Sequence, residues 1–151
     1  MAWKRPESVL VLVCTPDGQV LMLERAAQPG FWQSVTGSLE WDEGPESAAP
    51  RELFEETGLD APVVATGVVN RYTIHPAWRA RYAPASDENV EHVFLALLPE
   101  PRPVRLSPGE HTSWRWLPAR QAASLAFSAT NREAILRHCL PPRALKRGSM
   151  S

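Results

Sequence analysis

Residues 37 to 59 read GSLEWDEGPESAAPRELFEETGL and impose a local order of strand, loop and then a helix with three carboxylates on one side. Glu52, Glu55 and Glu56 stand at i, i+3 and i+4, which at 100° per residue gathers them within about 100° of arc. Like charges at that spacing weaken a bare helix, and burying them raises their pKa values unless a cation neutralises them. A divalent ion removes the conflict. Mg²⁺ suits the place because it takes carboxylate oxygens, keeps several waters and bridges to substrate phosphates, with Mn²⁺ as the alternative. The patch therefore implies a phosphate-bearing substrate. Arg51, adjacent to Glu52 and four residues before Glu55, can fix a carboxylate by a charge-assisted hydrogen bond, and Glu43 on the preceding loop can reach the same end.

The flanking sequence supplies a frame. Ser8 to Thr15 and Gln19 to Arg25 are β-rich runs joined by the turn Pro16-Asp17-Gly18, which predicts a hairpin. Phe31 to Thr36 reads as one short strand. Glu46 to Thr57 reads as a helix that starts near Ser47, so that Pro50 falls in its first turn, and ends at Gly58. Val63 to Val69, Arg71 to Ile74, Val90 to Leu98 and Ser113 to Leu117 read as further strands, separated by the proline-bearing segments 75–89 and 99–111. Thr130-Asn131-Arg132-Glu133 fits a capping box that opens a helix running to about Leu140, before Pro141-Pro142. The expected architecture is a single α/β (α+β) domain over 1–140, a mixed sheet between helices, followed by a disordered basic tail over 141–151.

Composition excludes several classes. With 44% hydrophobic and 22% charged residues in 151, the chain has the make-up of a globular domain and not of a disordered one. A net charge of -1 gives no overall basic field for nucleic acid, so a polyphosphate must be met by a local device. The apolar run Val9 to Cys14 is far short of the ~18 residues of a membrane span, and the N-terminus lacks a signal-peptide pattern, so no membrane partner and a cytoplasmic location are expected. Cys14 and Cys139 show no metal or redox spacing and read as reduced thiols. Arg71, Arg79 and Arg81 lie in the acid-free stretch between Asp60 and Asp87, a local positive wall that could steer a triphosphate unless Asp87, Glu88 or Glu91 pairs with them. Nothing in the sequence speaks to oligomeric state.

Three glutamates on a helix are by themselves most often a solvated face. The full spacing demands more: Gly37, five residues, Glu43, seven residues, Arg51-Glu52-Leu53, one residue, Glu55-Glu56, one residue, Gly58-Leu59. From average residue usages, a chance match at a given start is roughly one in 10⁹. In this spacing the chain resembles the Nudix hydrolases, which cleave a nucleoside diphosphate linked to another group. The resemblance implies a Nudix-type α/β/α sandwich with a mixed sheet and metal-assisted attack of water on a pyrophosphate phosphorus. It implies Glu52 and Glu56 as Mg²⁺ ligands and Glu55 as a further ligand or the base, while which glutamate is the base differs across the family.

Outside that stretch, Lys4-Arg5-Pro6, Leu21 to Arg25, Phe31 to Ser38, Arg81 to Pro84, Glu110-His111 and Ser128 to Arg132 are similar to the dihydroneopterin triphosphate pyrophosphatase branch, Phe31 to Ser38 most specifically. That likeness implies conversion of dihydroneopterin triphosphate to the monophosphate and pyrophosphate in folate synthesis, with side activity on nucleoside triphosphates such as dATP. It implies Glu110 as a metal ligand, substrate contacts from Lys4, Arg25, Thr36 and Ser128, and a pterin-side wall of Tyr72, Thr73, Ile74 and His75; His111 takes a minor site role from its place beside Glu110. Trp32, Tyr72 or Trp78 could stack on a planar bicyclic ring, whereas Trp114 and Trp116 read as packing residues. Two other readings are a general or house-cleaning nucleoside triphosphate pyrophosphatase and a non-catalytic Nudix-fold binding module. The second is disfavoured by retention of every glutamate of the motif.

Overall fold

The computed structural model describes residues 3–142. Strand β1 (Glu7–Cys14) is buried from Ser8 onward, as its unbroken apolar run requires of a strand covered on both faces. It lies parallel to β6 (Glu88–Leu97) and antiparallel to β4 (Val35–Ser38), and the turn at Pro16-Asp17-Gly18 leads to β2 (Gln19–Arg25) as the expected hairpin. With β3 over Trp32–Gln33 and β5 over Val63–Thr73, the mixed sheet runs β3-β2-β1-β6-β5, with β4 joined to β1 and β7 (His111–Pro118) joined to β2. Alternation along β1 then divides the core. Val9, Val11 and Val13 pack on the side of helix α1 (Pro45–Thr57), while Leu10, Leu12 and Cys14 pack on the side of α2 (Ala119–Leu125) and α3 (Ala129–His138). Helices on both faces of a mixed sheet are the expected α/β/α sandwich.

Several local expectations change. Phe31 to Thr36 is two strands, β3 (Trp32–Gln33) on β2 and β4 on β1, because buried Ser34 between them bonds to α3: its N–H donates to Asn131 Oδ1 at 2.9 Å and its Oγ accepts from Asn131 Nδ2 at 2.9 Å. The two runs Val63 to Val69 and Arg71 to Ile74 form one strand, β5 (Val63–Thr73). Its register breaks between Ala65 and Val69, where Gly67 takes φ +87°, a conformation that favours glycine. Helix α3 is capped by Ser128, whose Oγ accepts from the Asn131 N–H at 3.1 Å, so the Thr130 box does not form. Helix α2 and a 3₁₀ turn over Pro76–Arg81 occupy stretches in which the sequence shows no helix. Trp114 is 37% exposed, against its expected packing role, whereas Trp116 packs on the α1 side of the core. Cys14 and Cys139 are free and buried. Among the described residues no helix is long and apolar enough to cross a membrane. Of the expected tail, 143–151 lie outside the described residues.

Helix α1 begins at Pro45, two residues before the expected Ser47, and therefore carries Pro50 inside it and not in its first turn. Pro45 at the first helical position needs no N–H, and Ala48 N–H bonds to Gly44 O at 3.0 Å, which lets the helix start early. Pro50 is exposed, so the Glu46 carbonyl it leaves without a helical partner can turn to water. The C-terminus is as expected: Gly58 closes the helix at φ +74° with its N–H on Phe54 O. Pro50→Ala should restore one helical hydrogen bond and raise stability by about 1 kcal/mol in urea denaturation, net of proline's restriction of the unfolded chain. A fall in stability would mean that proline's restriction of the unfolded chain outweighs the regained hydrogen bond.

Candidate active site

The helix face splits the three glutamates. Glu52 and Glu56 are buried against the sheet, with 8% and 4% exposure, while Glu55 points outward and lines neither of the cavities described below. Arg51 ties the group together. Its Nε and Nη2 donate to both oxygens of Glu43 at 2.8 and 2.7 Å, its Nη1 reaches Glu52 and Glu55 at 3.1 Å each, and Nη2 also reaches Ser38 O at 3.2 Å. The Glu43 pair is bidentate, the geometry that best fixes a guanidinium. Glu43 is held in turn by Arg5, whose Nη1 donates to the carbonyls of Glu40, Trp41 and Glu43 and so clasps the loop before α1. Arg5 was legible in the sequence only as part of Lys4-Arg5-Pro6, without this role.

Gly37 explains itself by contact. A Cβ there would fall on the Glu52 carboxyl, so the glycine is a cradle that lets Glu52 lie across β4. The electrostatics are tense. Burial, followed by the facing Glu52 carboxylate, pushes the Glu56 carboxyl well above the usual carboxylate range, with partial relief from the Thr36 backbone. Burial likewise raises Glu52, and Arg51 offsets part of it. Glu56 Oε1 is buried with no hydrogen-bond partner. A partnerless buried oxygen on Glu56 beside the raised Glu52 carboxyl is a donor set that suits a divalent cation. Among the described residues no three Asp, Glu, His or Cys side chains are gathered closely enough to hold a metal ion between them, so the candidate centre is the buried pair Glu52 and Glu56.

Two cavities meet at this point. One, of about 640 Å³, is lined by Glu52, Glu56 and the exposed Glu110 together with Lys4, Arg25 and Arg81. His111 also lines it, held neutral with its pKa lowered to about 4, by burial first and then by Arg25. The other, of about 550 Å³, takes Tyr72, Thr73, Ile74 and His75 on one side and Ser128 to Asn131 on the other. Trp78, His75 and Phe127 form its aromatic wall, with ring centroids 5.0 to 5.5 Å apart. Lys4, Arg25, Gln33, Thr36, Gly37, Ser38 and Arg81 line both, so the cavities are continuous.

The expected contact residues thus come together, with adjustments. The Thr36 hydroxyl donates to Val9 O at 2.9 Å, which leaves its lone pairs toward the cavities, and Ser128 caps α3 while lining the ring cavity. Burial and the neighbouring Arg81 lower the Lys4 pKa. Of the arginine wall, Arg81 lines both cavities, Arg79 is spent on the carbonyls of Ala83 and Pro84, and Arg71 is exposed and lines neither. Among the described residues none of the three forms an ion pair with Asp87, Glu88 or Glu91. Trp32 lines neither cavity and lies under Arg115, so it is not a stacking residue. Phe127 and Asn89 line the ring cavity with no mark in the sequence, because strand alternation alone does not say which buried face opens onto a cavity, and Glu91, an alternative to Glu110 as the metal ligand from outside the helix, lines the ring cavity and not the cleft of Glu52 and Glu56.

An α/β/α sandwich with a carboxylate helix held beside a cation-lined cleft defines a class of phosphate-cleaving hydrolases. Residues 4–139 match the family model for the NUDIX domain, and the chain belongs to the Nudix hydrolase family. It is 39% identical to a dihydroneopterin triphosphate diphosphatase of Haemophilus influenzae, over 91% of this chain and 90% of that protein. It is 40% identical to the Escherichia coli K12 protein of the same name, over 88% and 91%. The solved structure of the E. coli dihydroneopterin triphosphate pyrophosphohydrolase superposes with a TM-score of 0.86 at 38% identity, covering 92% of this chain and 98% of that one.

Proposed function

We propose that this enzyme hydrolyses dihydroneopterin triphosphate to the monophosphate and pyrophosphate, a step of folate synthesis, with side activity on nucleoside triphosphates such as dATP. The observation that carries the reading is the continuity of an aromatic-walled ring cavity with a cleft that holds both cations and carboxylates. A substrate with a planar ring at one end and a phosphate chain at the other fits that shape. Trp78 and His75 offer the ring a stacking surface, worth roughly 0.5–1.5 kcal/mol beyond burial. Lys4, Arg25 and Arg81 stand where the chain leaves the ring cavity and neutralise its charge.

Glu52 and Glu56 would hold Mg²⁺, with Glu110 supplying a third carboxylate from the turn before β7. A divalent cation bound there supplies activation of water and relief of the charge that builds on the bridging oxygen. The chain's own residues set the register. Arg51, itself fixed by Glu43 and Glu55, holds Glu52 in line by a direct hydrogen bond. The cationic entrance fixes how far the phosphate chain reaches past the ring, and that reach decides which phosphorus meets the water.

The products test the reading. In ³¹P NMR with Mg²⁺, the first-formed products from dihydroneopterin triphosphate are expected to be the monophosphate and intact pyrophosphate, at a higher kcat/KM than for dATP. Orthophosphate as the first product would sink the pyrophosphohydrolase assignment. A kcat/KM for dATP above that for the pterin would favour the general nucleoside triphosphate pyrophosphatase.

A further inference from the structure

The ring cavity ends on a polar floor that the phosphate chemistry does not use. Alternation along β6 sends Asn89 and Glu91 to the α3 side of the sheet, where both line the cavity at 4% exposure. Glu91 accepts from Asn70 Nδ2 at 3.1 Å and from the Tyr72 hydroxyl at 3.4 Å. Asn89 spends its amide N–H groups on Ser8 Oγ at 2.8 Å and on Tyr72 Oη at 3.2 Å. What remains is mostly acceptor: Asn89 Oδ1 is buried without a partner, and among the described residues Glu91 has no cationic one. The buried Thr130 hydroxyl stands near enough to Glu91 to favour its charged form. Burial raises the Glu91 carboxyl above the ordinary range.

A buried acceptor left unmatched, as Asn89 Oδ1 is, is costly, and a fold retains it where a ligand brings the donor; each Glu91 oxygen, with one hydrogen bond and no cation beside it, has room for a further donor. A carboxylate beside an amide oxygen asks for N–H groups lying in the plane of a ring slotted against the aromatic wall. An exocyclic amino group is such a donor, and a ring carbonyl in its place would set acceptor against acceptor. We propose that Glu91, with Asn89, is a specificity-determining residue that accepts from the exocyclic amino group of the substrate's ring and rejects rings that carry a carbonyl there. This rests on the reading that the cavity takes the ring of a triphosphate.

The pair dATP and dITP tests it, since dITP replaces the exocyclic amino group by a carbonyl, and its remaining ring-edge donor, N1–H, lies beside that position and not at it. Wild-type enzyme is expected to favour dATP in kcat/KM by at least about thirtyfold, because sites built to hydrogen-bond a group discriminate strongly against its absence. Glu91→Gln keeps nearly the same shape and adds an N–H donor that meets the dITP carbonyl, so the ratio should fall at least about tenfold, while Glu91→Ala should bring it to within about threefold of unity. Melting curves verify that each variant is folded. Wild-type enzyme that hydrolyses dITP as well as dATP overturns the proposal without recourse to any variant. A Glu91→Gln enzyme with both activities lowered equally and the ratio unchanged also overturns it, leaving Glu91 as a support for β5 and β6. Failure to cleave the pterin triphosphate with an intact dATP preference would count against the proposed substrate alone.

Discussion

Glu56→Gln is expected to lower kcat/KM at saturating Mg²⁺ at least a hundredfold, about 2.7 kcal/mol of transition-state stabilisation, while leaving the protein folded. The amide keeps the shape of the side chain but removes half of the buried charge pair. Retention of more than about a tenth of wild-type activity would remove Glu56 from the metal site. The same substitution has a signature in stability. Glu56 and Glu52 both have pKa values raised above the ordinary 4.5, chiefly by burial. For a carboxyl raised in the folded state, the stability contribution is complete below the unfolded value and is lost as pH climbs toward the folded one, because deprotonation then leaves a buried charge. Metal-free wild-type protein should therefore lose stability as pH rises above about 4.5, and Mg²⁺ should recover it at neutral pH by binding the folded state. Glu56→Gln should flatten the metal-free curve and shrink the Mg²⁺ gain. Thermal melts across pH, with EDTA and with Mg²⁺, read both effects.

Gly37→Ala should separate activity from stability. The new methyl would occupy the place of the Glu52 carboxyl, which must swing away from β4. Because the obstructed group is the end of a side chain, and because Gly37 is not among the glycines at positive φ, the backbone has no reason to unfold. Glu52 nevertheless leaves the position in which Arg51 holds it at 3.1 Å. Activity at limiting Mg²⁺ should fall about a hundredfold, part of it regained at high Mg²⁺, since displacing one carboxylate weakens the site without abolishing it. The melting temperature in EDTA should stay within about 2 °C of wild type, the shift of a few tenths of a kcal/mol in a domain this size. Wild-type Mg²⁺ dependence in this variant would show that Glu52 does not need the Gly37 cradle.

The carboxylate cluster of the site was legible because it rests on local spacing. Residues three and four apart share a helix face whatever the rest of the chain does, so Glu52 and Glu56 could be placed together from the sequence, with Arg51 in reach of Glu55. Gly58 as the helix stop, the Pro16-Asp17-Gly18 hairpin and the central burial of β1 followed in the same way from turn chemistry and an unbroken apolar run. Errors arose where a local signal competed with a distant partner. Ser34 broke the expected strand because Asn131, 97 residues away, satisfies it. Thr130 lost the helix cap to Ser128, which reads equally well as a cap and sits where α3 meets the ring cavity.

The sequence by itself determined the chemistry: a carboxylate face calling for a cation, an arginine to hold it, and alternating strands able to bury a core between helices. Only the tertiary structure decided which groups share a space. Glu55 was separated from its neighbours because the sheet covers one side of α1 and water the other. Lys4, Arg25, Arg81 and Glu110 converge on the buried carboxylates from four separate parts of the chain. Asn89 and Glu91 became the floor of a cavity because β6 lies beside β1 with α3 across its end. Periodicity tells a side chain which face to take, but the depth and company of that face depend on contacts between residues tens of positions apart, and no local spacing records them.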